Sequence, residues 1–213
     1  VTLNFDEIIP MSILHFYQMK VQGFYFQKSK KQFLNDKYLF PNTANFLKQK
    51  EFAECYFAWD EEGLYFQFNV EMIGDIKDLA LKNMGSIEIM IDTRDNKELS
   101  YLNEYCHHFL ISPDESFKTS AKEITKFRSM SIHKLCDPKH LKTEIDITSK
   151  MYQINLIIPT QCLHGYDPSY CQTLGFTYKI NRPGSVSQVF GMQQMEYEIE
   201  KNPRFWPSIQ LIK

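Results

Sequence analysis

The stretch AECYFAWDEEGLYFQFNV, residues 53–70, alternates with a period of two on both sides of a polar centre. Ala53, Cys55, Phe57 and Trp59 share one face against Glu54 and Tyr56, while Leu64, Phe66, Phe68 and Val70 share one face against Tyr65, Gln67 and Asn69. Such alternation marks a strand with one face in a core. Between the runs, Asp60-Glu61-Glu62-Gly63 is a polar turn ending in glycine, so the stretch predicts an antiparallel hairpin.

The same period recurs outward from this hairpin. Ile87, Ile89 and Ile91 alternate with Glu88, Met90 and Asp92; Ile145 and Ile147 with Glu144 and Asp146; Tyr152, Ile154, Leu156 and Ile158 with Gln153 and Asn155; and Leu174, Phe176, Tyr178 and Ile180 with Thr177 and Lys179. A strand is also expected over Tyr105 to Ile111, and a closing one over Ser208 to Ile212. The segment from Pro159 to Pro168 reads as a compact loop with one helical turn. Short strands with turn signals between them, and no long amphipathic helix, predict an all-β fold: a two-layer antiparallel β-sandwich, jelly-roll-like, with minor short helices. A length of 213 residues fits a single domain over residues 1–213. Residues 1–50 are the least regular: Phe24, Phe26 and Phe33 suggest strand, and Thr43 to Lys50 a short helix capped by Asn42 or Thr43.

Composition narrows the function classes. Seventeen Phe and 12 Tyr favour pleated, half-buried surfaces over helices. A formal charge of -2 provides no general field for phosphate backbones, so nucleic acid is not an expected partner; the basic run Lys28-Ser29-Lys30-Lys31 reads as a solvated loop. No apolar run reaches the ~18–20 residues of a membrane span, and the domain is expected to be soluble. Cys55, Cys106, Cys136, Cys162 and Cys171 are odd in number and lack a C-x-x-C pair, which suggests reduced thiols and favours a cytoplasmic location. A Cys162–Cys171 bridge is the alternative, and secretion stays open because the chain begins at Val1 rather than Met.

The order of these segments resembles the family 9 carbohydrate-binding modules and related sandwich domains. The likeness rests on Tyr56-Phe57-Ala58-Trp59-Asp60 leading into Gly63-Leu64-Tyr65-Phe66; Ser86 to Asp95; Cys106-His107-His108-Phe109 with Pro113 after it; Leu156 to Pro159; Leu174-Gly175-Phe176 with Tyr178; and Pro203 and Trp206 before Ile209 and Leu211. Uncharacterised bacterial relatives are similar across Ile91-Asp92-Thr93-Arg94-Asp95 and the following Cys-His-His-Phe segment. They commonly carry an acidic residue where this chain has Gly85-Ser86. The resemblance implies a sandwich and a non-catalytic binding domain for a glycan or other small ligand.

The candidate contacts are Tyr65, Gln67, Asn69, Arg94, His108 and Trp206. Sugar stacking needs an exposed ring beside hydrogen-bonding groups, and Tyr65, His108 and Trp206 are the planar groups offered for it. Core packing is the competing reading for Trp206. The outward residues Tyr65, Gln67, Asn69, Glu88, Met90, Gln153, Asn155 and Thr177 would make a shallow polar face if they share one sheet, fit for a glycan, a peptide strand or a second protein. The alternative function is therefore a protein-interaction or homodimerisation module. His107 and His108 are adjacent on a strand, so they point to opposite faces and do not form a shared metal pair; His107 is expected inside and His108 outside. Asp92 and Asp95 are candidate calcium ligands, with a self-satisfied turn as the competing reading. The carboxylate pairs Glu88 with Asp92 and Glu144 with Asp146 sit at spacings ordinary for solvated strands, and no nucleophile elbow, phosphate loop or His-Glu-x-x-His motif accompanies them. No enzyme is expected.

Overall fold

The hairpin over residues 53–70 is present. In the computed structural model, β2 (Ala53–Asp60) and β3 (Gly63–Glu71) pair antiparallel from Ala53↔Val70 to Asp60↔Gly63. Asp60 Oδ1 accepts the backbone N–H groups of Glu62 and Gly63 at 2.8 and 3.1 Å and so closes the turn. A Cβ on Gly63 would fall 2.2 Å from the Ile158 carbonyl oxygen, which is why glycine stands there. The structure describes residues 19–26, 35–44, 47, 49–72, 84–113, 119–191 and 198–213. Lys28 to Lys31, Phe33 and part of the 43–50 segment lie outside them.

The remaining strands are β1 (Lys20–Tyr25), β4 (Ser86–Asp92), β5 (Cys106–Pro113), β6 (Thr119–Glu123), β7 (Lys142–Ile147), β8 (Met151–Pro159), β9 (Thr173–Asn181), β10 (Gln188–Val189) and β11 (Ser208–Ile212). Helical structure among the described residues amounts to single 3₁₀ turns, one of them at Thr160–Cys162 in the expected loop. The all-β expectation therefore holds. The layering differs. Among the described residues, the strands all join one hydrogen-bonded sheet in the order β6-β5-β4-β9-β11-β1-β2-β3-β8-β7, with β10 on β9. The two edge strands, β6 and β7, approach within 8 Å between Cα atoms, so the sheet curls into a nearly closed barrel rather than two separately bonded layers.

Pairing is not wholly antiparallel either. Strand β1 runs parallel to β11, from Lys20↔Ser208 to Phe24↔Ile212, and parallel to β2 at Phe24↔Ala58 and Tyr25↔Trp59. Gly23 permits this insertion, since a Cβ there would lie 2.5 Å from the Phe57 ring and 2.6 Å from Ile209. The Trp59 indole N–H donates to the Gly23 carbonyl at 2.8 Å, which makes Trp59 a core residue tied to the inserted strand.

Inside the curl the packing is aromatic. Phe176 lies 5.2 Å from Phe40, 5.6 Å from Phe66, 6.0 Å from Phe190 and 6.1 Å from Phe57, ring centre to ring centre. These rings come from β2, β3, β9 and two connecting segments, so one cluster binds elements far apart in the chain. Phe176→Ala is expected to lower unfolding stability by ~3–5 kcal/mol, the usual range for a buried Phe truncation. Urea denaturation measures it, and a loss under ~1 kcal/mol would show the ring to be dispensable.

The thiols depart from expectation. Cys136 and Cys162 form a disulfide across 26 residues with their Cα atoms 4.8 Å apart, while Cys55, Cys106 and Cys171 are free. The Cys162–Cys171 alternative is thereby replaced, and the cytoplasmic location drawn from wholly reduced thiols loses its premise. No helix among the described residues is long and apolar enough to cross a membrane. A thiol titration of the non-reduced chain in guanidinium should give three reactive groups; five would overturn the bridge.

Candidate functional site

Four connections meet at one end of the barrel: the β2–β3 turn, the β4–β5 loop, the segment after β6 and the β8–β9 loop. The register places them there, because Asp60, Asp92 and Pro159 end their strands while Gly63, Cys106 and Thr173 begin theirs. Hydrogen bonds lock the loops together. The Thr160 N–H donates to the Glu62 carbonyl, the Tyr166 hydroxyl to the Asp60 carbonyl, the Thr93 hydroxyl to the His164 carbonyl, and the Arg128 N–H to the Leu102 carbonyl.

The β4–β5 loop is built by acidic and amide side chains that fold back on the backbone. Asp92 Oδ1 accepts from the Arg94 N–H at 2.9 Å and Oδ2 from the Asn96 N–H at 2.8 Å; Asn96 and Asn103 do the same for Glu98 and Tyr105. Burial pushes the Asp92 carboxyl above its ordinary range, partly offset by those two N–H groups. Asp95 is the one non-glycine residue with positive φ, 50°, among the described residues. Its Oδ2 accepts from the Ser208 hydroxyl at 2.6 Å and its Oδ1 pairs with Lys97 Nζ at 2.5 Å. Lys97 also donates to the Trp206 carbonyl.

Three of the four carboxylate oxygens of Asp92 and Asp95 accept hydrogen bonds from the chain itself, and the fourth, Asp95 Oδ1, is ion-paired with the Lys97 ammonium, which already supplies the positive charge. The calcium expectation for this pair is corrected in favour of a self-satisfied turn. Adding calcium to the chelator-treated chain should leave the melting temperature unchanged within ~1 °C, because only an ion bound to the folded state adds stability; a clear rise would restore a calcium role.

Arg94 occupies a different place. Its guanidinium lies 5.0 Å from the Tyr105 ring and 5.5 Å from the Tyr170 ring, and Nη1 donates to Cys171 Sγ at 2.9 Å. The Tyr105 ring in turn stacks on His164 at 5.6 Å. Beside them opens a cleft of about 350 Å³ lined by Arg94, Asn96, Tyr101, Asn103, Glu104, Tyr105 and the 129–131 segment. Tyr170 is 79% exposed and Tyr101 39%. Rigid, accessible rings next to amide, carboxylate and guanidinium groups are what a planar polar ligand uses.

The other expected contacts lie elsewhere. Trp206 is 0% exposed, donates its indole N–H to the Ile199 carbonyl at 2.8 Å and packs with Met90, Leu102, Cys106 and Val189. A ring with no free face cannot stack a ligand, so Trp206 is corrected to a core residue. This second apolar cluster covers the outer face of β4; His108, on neighbouring β5 and paired with Met90, is only 8% exposed, and its Nε2 is bonded to Glu88 Oε2 at 2.8 Å. His108 does leave the strand opposite His107, but it does not reach a ligand surface. Burial alone would raise the Glu88 carboxyl; the bonds from His108 and Asn181 outweigh it and hold the group lowered.

Tyr65, Gln67 and Asn69 sit on the outer face of β3, separated from β4 along the sheet by β9, β11, β1 and β2. The Tyr65 hydroxyl donates to Asp60 Oδ2, the Gln67 amide to Asn69 Oδ1, and the Asn69 amide to Glu54. Opposite them stand Ile157, Asn155 and Gln153 of β8, and Gln67 Oε1 and Asn155 Nδ2 are buried without hydrogen-bond partners. The single polar face expected from the alternating residues is therefore split: Tyr65, Gln67, Asn69, Gln153 and Asn155 form one part, while Met90 and Thr177 are buried under the second cluster.

A buried polar node that sequence spacing did not indicate lies on the core side of β5. His107 Nδ1 and His133 Nε2 each lie 2.9 Å from Glu123 Oε1, the Thr125 hydroxyl donates to the same oxygen at 2.7 Å, and the Cys136 N–H donates to Oε2 at 2.7 Å. Burial opposes ionisation of Glu123, yet the contacts with His107 and His133 hold its carboxyl well below the ordinary range, while burial lowers His107. The expectation of an internal, hydrogen-bonded His107 is what the structure shows.

No protein-family model matches the chain, and no curated protein does. Solved structures do. A family 9 carbohydrate-binding module from Caldicellulosiruptor kristjanssonii in complex with cellotriose superposes with a TM-score of 0.57 at 13% identity, over 90% of this chain and 93% of that one. The same module with glucose gives 0.57 at 13% identity over 91% and 95%. A Bacteroides uniformis protein provisionally assigned as carbohydrate-binding gives 0.51 at 7% identity over 75% and 78%. At these identities the similarity establishes a shared fold, in agreement with the resemblance read from the strand motifs.

Proposed function

We propose that the chain is a non-catalytic, carbohydrate-binding-like domain that holds a glycan, or another small ligand with a sugar-like face, in the cleft beside Arg94. The observation that carries this reading is the fixed aromatic rim. Tyr105 contacts both Arg94 and His164, Tyr170 lies 5.5 Å from Arg94, and Tyr101 stands exposed at the cleft. Pyranose C–H faces stack on such rings, and Asn96, Asn103, Glu104 and Arg94 offer donors and acceptors for hydroxyl groups. The cellotriose and glucose complexes of the similar module support a sugar as ligand.

Binding without turnover also fits the cleft chemistry. Glycoside hydrolysis uses two carboxyl groups ~5–9.5 Å apart across the bond, and the lining described above contains one, Glu104. Of the carboxylate pairs on the strands, Glu88 and Asp92 are engaged by His108, Asn181 and the backbone.

The interaction-module alternative draws on Met130 and Ile132, which stand 102% and 64% exposed on the segment that lines the same cleft. One experiment separates the two. Titration calorimetry with cello-oligosaccharides and a panel of other glycans should show association at millimolar or lower concentration, weakened about tenfold by Tyr170→Ala and by Tyr101→Ala with no change in melting temperature; a tenfold loss corresponds to ~1.4 kcal/mol. No heat with any glycan at ~10 mM, together with a dimer by light scattering that Met130→Glu dissociates, would replace the sugar reading by the interaction module.

A further inference from the structure

The node at Glu123 has a protonation pattern that hydrogen bonds alone do not satisfy. His133 Nδ1 lies 2.6 Å from the Glu104 carbonyl oxygen, and His107 Nε2 lies 3.4 Å from the His164 carbonyl oxygen. A carbonyl only accepts, so for neutral rings the tautomer that suits both carbonyls carries the proton on the outer nitrogen. A neutral imidazole protonated on its outer nitrogen presents a lone pair on the inner one. Both inner nitrogens, His107 Nδ1 and His133 Nε2, point at Glu123 Oε1 from 2.9 Å. Two lone pairs and a carboxylate oxygen therefore converge, and that oxygen already accepts from Thr125.

Without a metal, the rings satisfy this oxygen only by taking up protons or by giving up a carbonyl contact. Two additional protons are one solution, but they would make two imidazolium rings stacked 4.3 Å apart, their side chains 0% and 4% exposed, around a single carboxylate that is 0% exposed. Like charges stripped of water repel strongly at that range, and each also loses its hydration. A single divalent ion removes both difficulties, since it accepts the two lone pairs and the carboxylate together.

The geometry points to a structural site for a divalent transition metal of the zinc class, with His107 Nδ1, His133 Nε2 and Glu123 Oε1 as its ligands. The three donor atoms all lie within 4.8 Å of one another. Tetrahedral coordination at ~2.0–2.1 Å places donors about 3.3 Å apart, so small side-chain shifts suffice. Two nitrogens and one carboxylate oxygen suit zinc and its first-row neighbours better than calcium or magnesium. The surroundings match a metal's outer shell as well. Each histidine donates its far N–H to a backbone carbonyl, and the carboxylate is steadied by Thr125 and the Cys136 N–H. The ligands come from β5, from β6 and from the segment that follows, so the ion would pin the cleft wall carrying residues 129–131 to the barrel. This site is independent of any sugar.

The test uses the full chain, stripped with chelator and dialysed against ~10 μM zinc or cobalt(II), then analysed for metal content. One ion per chain is expected, with a rise in melting temperature and, for cobalt, the visible bands of tetrahedral nitrogen and oxygen ligation. His133→Ala should weaken the affinity about 100-fold, whereas His140→Ala, at an exposed position, should leave it unchanged. The cobalt spectrum of the unaltered chain stands even where a variant folds poorly. An empty chain after dialysis, equal metal content in the His133 variant, or a near-ultraviolet thiolate band showing the ion on a free cysteine each overturns the site.

Discussion

The aromatic stack around Phe176 fixes how tightly the sheet curls. Five rings from different strands and connections must share one interior, and Phe40, Phe57, Phe66, Phe176 and Phe190 do so with neighbouring centres about 5–6 Å apart. Rings of that size force the facing arcs of the sheet to a set separation. Gly23 then matters, because the inserted strand β1 has to pass close over Phe57 and leaves no room for a side chain. The curl in turn decides that β6 and β7 come near each other and that the loops at one end converge.

Convergence of loops creates a burial problem for polar backbone, and the chain solves it with short-range acceptors. Asp60, Asp92, Asn96 and Asn103 each take a backbone N–H two residues ahead. Such turns need no long-range partner, so the β4–β5 loop keeps its shape from its own sequence. Longer links then position the loops against each other, including the Thr93 bond to His164 and the disulfide that joins the segment after β6 to the β8–β9 loop. These links hold the Arg94 guanidinium 5.0 Å from the Tyr105 ring and 5.5 Å from the Tyr170 ring.

Local patterns were readable in the sequence, and distant partners were not. Period-two alternation located β2, β3, β4, β8 and β9 because side chains that alternate in sequence must alternate across a strand. The same rule placed His107 inside and Trp59 in the core. Closure of the barrel and the parallel insertion of β1 have no such signature, since they follow from which edges meet, not from any one segment. His108 reads as outward because alternation shows which way a side chain leaves the sheet but not whether another segment lies over it; Trp206, ahead of β11, carries no alternation signal, and the residues that enclose it come from distant segments. The Cys136–Cys162 bridge and the meeting of His107, Glu123 and His133 depend on the course of residues 124–140, a stretch with no regular period. Arg94 was legible as a polar group at a strand end; its tyrosine neighbours, from position 105 and from position 170, were not.

These facts bear on where a ligand surface can exist on this barrel. The outer face of β4 and β9 is closed by Trp206, Leu102, Val189 and Ile199, which turn Met90 and Thr177 into interior residues. The outer face of β3 and β8 is lined with amides that bond along their own strands, Gln67 to Asn69 and Gln153 to Asn155, so its polar groups are partly spent on each other. The ring on that face, Tyr65, is tied by its hydroxyl to Asp60 and packs on Phe26 at 4.8 Å between ring centres. The loop end differs: its backbone is satisfied by side chains committed to turns, and Tyr101 and Tyr170 stand exposed there near Arg94. On the proposed reading, covered or self-paired faces leave the rim of the barrel as the place for a ligand.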